Sequence, residues 1–129
     1  MLSFMTRSRY FLYREATDMR KSFDGLSGLV RQNTPHDILS GDVFIFINRR
    51  CDRIKLLMWD VSGFALYYKR LEKGTFGKSV FLDKDSSTKN ALSKAQKTST
   101  ELSWSDLVML LEGIEINSIK RRKRFKKAT

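Results

Sequence analysis

Chemistry in a short chain rests on a few side-chain types, and this sequence holds few of them in useful combinations. It has one histidine, His36, and one cysteine, Cys51. A zinc centre takes three or four nitrogen or sulfur ligands at short spacing, which these two cannot supply. Any Ser–His or Cys–His nucleophilic device would have to use His36, which lies in the loop sequence NTPHD with no neighbour that marks it as a base. No GxxxxGK[ST] or GxGxxG phosphate loop occurs, and no cofactor is expected. The remaining route is a cluster of carboxylates holding metal ions for phosphoryl transfer. Asp18 and Asp24, read onto one helix, stand about 240° apart around it and do not converge. Asp42, Asp52 and Asp60 fall at different rims of a sheet, where turn and cap roles account for them. The expectation is a protein with no catalytic residues and no metal site.

The residues that point to a ligand are basic. Arg49 and Arg50 occupy a turn, Arg53 and Lys55 share one face of the strand that follows, and Lys69 and Arg70 succeed Tyr67 and Tyr68 on the next. Cations beside aromatic rings suit phosphates and base faces. A strand pair with tyrosines in the core and a solvated basic face gives the same pattern, so the two readings stand side by side. A second basic element closes the chain. Lys120, Arg121, Arg122, Lys123, Arg124, Lys126 and Lys127 surround a single Phe125 with no acid among them. A run of this kind reads as a flexible arm for phosphates or as a solubilising end.

The elements that must position these residues follow from local pattern. Tyr10 to Tyr13 form a short strand. Thr17 offers a cap to a helix over Asp18–Gln32, with Met19, Phe23, Leu26 and Val30 on one apolar face. Gly25 and Gly28 inside that helix each cost about 1 kcal/mol relative to alanine, which close packing on a sheet would justify. A β-meander comes next: VFIFI (Val43 to Ile47), RIKLLMWD (Arg53 to Asp60) and FALYYKRL (Phe64 to Leu71), joined by the turns NRRCD and DVSG. KGTFG (Lys73 to Gly77) turns again, with a short fourth strand at Val80 to Leu82. Residues 83 to 101 are nearly all polar and read as a mobile loop, or at most a weak helix around Ala91 to Gln96. A second helix is capped by Ser103, with Asp106 three residues on; Leu107, Leu110, Leu111 and Ile114 line it and Gly113 ends it. Ile114, Ile116 and Ile119 lead toward a last strand. The class is α+β: an antiparallel meander with both helices packed on it, in one domain over residues 1–119 with a basic tail over 120–129.

Bulk composition fits this reading. The 129 residues are 41% hydrophobic and 12% aromatic, enough for a core. The longest apolar run falls far short of the roughly 20 residues that span a bilayer, and no secretion signal opens the chain. A cytoplasmic protein without a membrane partner is expected, and a lone cysteine agrees with a reducing compartment. The 25 lysines and arginines exceed the 14 acids by eleven charges, which favours a polyanionic partner.

Three segments carry a resemblance: TDMRKSFDGLSGLV (Thr17 to Val30), SGDVFIFINRRCDRIKLLMWDVSGFALYYKRLEKGTF (Ser40 to Phe76) and LVMLLEGI (Leu107 to Ile114). Together they resemble the small Orf2-like accessory proteins of the insertion-sequence family numbered sixty-six. The resemblance implies a bacterial mobile element in which a larger companion transposase carries the catalytic acids and this chain serves beside it. It brings no catalytic residues and no established biochemical activity. The expected function is a non-catalytic accessory factor of transposition that binds DNA, at element ends, through the basic meander and tail. The alternative is an assembly subunit that docks on the transposase without reading DNA.

Overall fold

The segment Val43–Ile47 is apolar at every position, so it is stable only where both faces of a sheet are covered. The computed structural model, which describes residues 8–77 and 98–113, places it there. Five strands, β1 (Tyr10–Tyr13), β2 (Val43–Ile47), β3 (Arg53–Asp60), β4 (Gly63–Arg70) and β5 (Ser99–Leu102), form one sheet in the order β4-β3-β2-β1-β5. Every residue of β1 and β2 is buried. Two helices, α1 (Phe23–Asn33) and α2 (Trp104–Leu111), complete the described elements.

The two helices cover opposite faces. Leu26 and Val30 of α1 pack with Phe11, Tyr13, Phe44, Phe46 and Leu57. Leu107 and Leu110 of α2 pack with Leu12, Val43, Ile45, Ile47, Ile54, Leu56 and Phe76. Odd and even positions of β2 thus feed different cores, as the twofold side-chain alternation of a strand requires. Among the described residues no helix is long and apolar enough to cross a membrane.

The α+β class holds, with the meander β2-β3-β4 antiparallel as expected; its register sets Val43 opposite Met58 and Arg53 opposite Arg70. Three features differ from the sequence reading. First, the sheet is mixed, because β1 runs parallel to β2, with α1 in the crossover between them. Second, residues 99 to 101, read as part of a polar loop, belong to β5, which pairs antiparallel with β1 from Tyr10↔Leu102 to Tyr13↔Ser99. The sequence STEL carries too little apolar pattern to announce a strand, and the buried β1 supplies the partner. Third, α1 starts at Phe23 rather than Asp18. Thr17 does not cap it: its amide donates to Ile47 O and its hydroxyl to Glu15 O. Asp18 Oδ1 instead accepts from the Arg20 amide, a local turn that holds the chain out of the helix.

The apolar stripe of α1 is correspondingly shorter. Leu26 and Val30 are fully buried, Met19 is partly so, and Phe23, the first helical residue, is 41% exposed. Packing does not demand both helix glycines either. A Cβ at Gly28 would meet open space, and one at Gly25 would meet the Lys21 side chain at 3.1 Å. The second helix follows the reading closely. The Ser103 hydroxyl accepts from the Asp106 amide at 3.1 Å and the Asp106 carboxylate accepts from the Ser103 amide, a reciprocal cap. Gly113 takes φ +80°, and its amide donates to Leu110 O. The strands read at Val80 to Leu82 and Ile114 to Ile119, the loop over 83–97 and the tail over 120–129 lie outside the described residues.

Candidate nucleic-acid interface

Two local devices push arginines outward at the end of the sheet where β2 turns into β3. Asn48 folds the turn by accepting, through Oδ1, the amides of Asp52 (3.0 Å) and Arg53 (2.9 Å), while its Nδ2 donates to Asp52 Oδ1. Cys51 adopts φ +59° and drops its thiol into the α2-side core. With Asn48 and Cys51 directed inward, Arg49 and Arg50 are left exposed at the tip.

The second device is Lys55. It is 5% exposed, and its ammonium donates to Met19 O (2.7 Å) and Lys21 O (2.8 Å). A buried ammonium needs such acceptors, and carbonyl oxygens of the 17–22 segment meet the need. The segment is thereby fixed over the sheet, and Arg20 comes to one side of a concavity of about 460 Å³ that Arg49, Arg50 and Arg53 line on the other. Asp18 and Asp52 also line it, so four guanidinium groups face two carboxylates. Asp18 is committed to Arg20, which donates to it through Nε and Nη2. These hydrogen bonds hold the Asp18 carboxyl down at about 2, below its ordinary value.

Beside the concavity, β3 and β4 set Arg53 opposite Arg70 and Lys55 opposite Tyr68 on the face that carries α1. Arg53 Nη1 donates to the Tyr68 hydroxyl at 3.2 Å, and Arg70 pairs with Glu72 at 3.1 Å. Among the described residues no acid lies within ion-pair distance of Arg49, Arg50 or Arg53.

The expected site residues therefore separate into groups. Arg49, Arg50, Arg53 and Arg70 come together at one end of the α1 face. Lys55 lies beneath them with its ammonium turned inward, where it organises the site and offers a phosphate no donor. Lys69 points to the other face and donates to Leu111 O at 2.8 Å, at the C-terminal end of α2 where a cation is favoured. Lys120, Arg121, Arg122, Lys123, Arg124, Lys126 and Lys127 lie outside the described residues. Arg20 was missed. Its sequence signal is the Asp-x-Arg spacing of a local turn, which the helical stripe through Met19 and Phe23 obscured.

His36 stands elsewhere. Its ring stacks on Phe11 at 3.8 Å, and Nε2 lies 3.0 Å from Ser99 Oγ. Burial, with Arg9 nearby, lowers its pKa against the opposing pull of Asp42 and Glu101. It ties the loop before β2 to β5. Asp42 serves as an anchor of β1, accepting from the Arg9 amide, from Arg9 Nη2 at 3.0 Å and from Ser40. Among the described residues no three of His, Cys, Asp and Glu come together as a metal-binding group.

Comparison with known proteins identifies the family. A curated relative, an uncharacterized protein (y4jC) of Sinorhizobium fredii, is 38% identical over 68 residues. That match spans 53% of this chain and 58% of the relative, so the chain covers little more than half the length of the protein it matches. No solved structure matches. The family model described as IS66 Orf2 like protein matches residues 8–121, which takes in every described element and the start of the basic tail. The chain therefore belongs to the IS66 Orf2-like family, which ties it to insertion-sequence transposition.

Proposed function

We propose that this protein is a non-catalytic accessory factor of insertion-sequence transposition, acting in the cytoplasm beside a companion transposase, and that it binds DNA at the element ends. The observation that carries the reading is the arginine cluster. Like charges directly opposite one another across a strand pair are destabilising, yet Arg53 faces Arg70, with Arg49 and Arg50 beside them at the turn. Only Arg70 of these four has an acid partner among the described residues. A polyanion laid across the cluster would supply the missing countercharge, and phosphates are the groups that arginine meets with paired, in-plane hydrogen bonds. Absence of catalysis is supported by the inventory of the sequence, with one histidine and one cysteine, and by the local roles of Asp18, Asp42, Asp52 and Asp106 in turns, an ion pair and a cap.

A second reading, an assembly subunit that docks on the transposase without touching DNA, draws on Val61 and Leu39. These two exposed apolar residues are 91% and 48% accessible. One experiment separates the readings. The full chain is co-purified with its companion transposase with and without element-end DNA, as wild type and as Arg49→Ala/Arg50→Ala/Arg53→Ala. DNA binding predicts that the triple variant loses the preference for element ends over random duplex. A variant that keeps every DNA interaction, while Val61→Asp abolishes co-purification in the absence of DNA, would install the assembly reading instead.

A further inference from the structure

The proposed phosphate contacts use the arginines, but one neighbour among them is not a cation. Tyr68 lies 48% exposed on the same face, two residues from Arg70 along β4 and diagonal to Arg53, in a cleft of about 430 Å³ lined by Arg53, Tyr68, Arg70 and Glu72. A tyrosine this exposed would ordinarily sample several rotamers, yet this one is held at two points. Its hydroxyl accepts from Arg53 Nη1 at 3.2 Å. Its ring lies 4.6 Å from the Lys55 ammonium, which is itself fixed by Met19 O and Lys21 O. The ring is thus immobilised without being buried, so a ligand that stacks on it pays little further ordering entropy.

A planar, immobilised ring flanked by two guanidinium groups is what single-stranded nucleic-acid sites employ: the ring takes a base face and the cations take the adjoining phosphates. Paired bases in a duplex present only their edges to a protein surface, so such a ring would find no face to stack on. We infer that the Arg53–Tyr68–Arg70 cleft binds an unpaired nucleotide of DNA, with the base stacked on Tyr68 and its flanking phosphates on Arg53 and Arg70. The inference rests on the DNA-binding reading above and narrows it: the preferred DNA is single-stranded, frayed or distorted.

The test uses the full chain and two labelled probes, a 12-nucleotide oligothymidylate and a 12-base-pair duplex of arbitrary sequence, in an anisotropy titration at one salt concentration. The variants are Tyr68→Ala, Tyr68→Phe and the triple arginine variant, each checked by thermal melting. One base–ring stack is worth about 1–3 kcal/mol, or roughly 5- to 100-fold in affinity. Tyr68→Ala is expected to lose that factor on the oligothymidylate while its duplex affinity stays within about twofold, and Tyr68→Phe, which keeps the ring, to retain most single-strand binding. If Tyr68→Ala weakens both probes equally or neither, while the triple arginine variant still loses binding, the stacking inference falls and the phosphate reading stands. If the wild type binds neither probe, both fall together.

Discussion

Asp42 shows how a single buried carboxylate fixes the entry to the sheet. Burial alone would raise its pKa. The Arg9 amide, the Ser40 hydroxyl and the Arg9 guanidinium overcome that and hold it below the ordinary value. A carboxylate with a depressed folded pKa contributes its full stability above the unfolded value and loses it as pH falls through the folded one. Asp42→Asn should therefore cost about 1–3 kcal/mol at neutral pH. It should also flatten the acid limb, so that urea midpoints of wild type and variant converge as pH falls through the ordinary carboxylate range and below it. Equal slopes over that window would mean the ion pair with Arg9 contributes nothing. Val61 makes the opposite case. It occupies the two-residue turn between β3 and β4 at φ +51°, where a β-branched side chain is strained. With 91% of its surface exposed, packing gives nothing in return. Val61→Asn should relieve about 1 kcal/mol and raise Tm by a few degrees in a calorimetric scan. An unchanged Tm would show that the turn carries no strain.

Between elements, what the sequence disclosed depended on how far apart the partners lie. The meander was legible because its strands adjoin and its turns carry their own signals: Asn48 at the first, Gly63 at the second. The capped start of α2 was legible for the same reason, since Ser103 and Asp106 are three residues apart. The parallel β1–β2 pair and the edge strand β5 were not, since their registers are set by residues more than thirty positions away. The true start of α1 was hidden by the same non-local effect. Lys55 takes its acceptors from Met19 and Lys21, which ties the turn at 18–21 down over the sheet and out of the helix even though Met19, Phe23 and Leu26 are spaced for a helix. A lysine on a strand reads as a surface residue, so nothing nearby announced its inward course. The consequence is measurable on α1 itself. Leu26→Ala, at a fully buried position, should cost about 2–5 kcal/mol in equilibrium unfolding. Phe23→Ala, at the exposed end of the stripe, should cost less than about 1 kcal/mol. A Phe23→Ala loss matching that of Leu26→Ala would put the helix start back near Asp18.

At the scale of the whole molecule the charge divides between a folded cluster and the tail, and the two should bind DNA differently. Seven of the eleven net positive charges are carried by residues 120–127. A basic run of that kind meets phosphates without reading sequence, whereas Arg49, Arg50 and Arg53 project from a backbone fixed by Asn48, Cys51 and the β3–β4 register. Each phosphate neutralised on duplex DNA adds about 0.9 to the slope of log K against log salt. Deleting residues 120–129 should therefore weaken binding to every duplex alike and flatten that slope by several units. Arg49→Ala/Arg50→Ala/Arg53→Ala should change the slope by no more than about three units, and should reduce the ratio of element-end to random-duplex affinity, which the tail deletion leaves intact. Affinities for both duplexes across a salt series, for wild type and the two variants, measure both quantities at once. Should the ratio be one for wild type and for both variants, with the whole salt slope lost on deleting the tail, the folded arginines contact no DNA. The assembly reading would then take precedence over DNA binding.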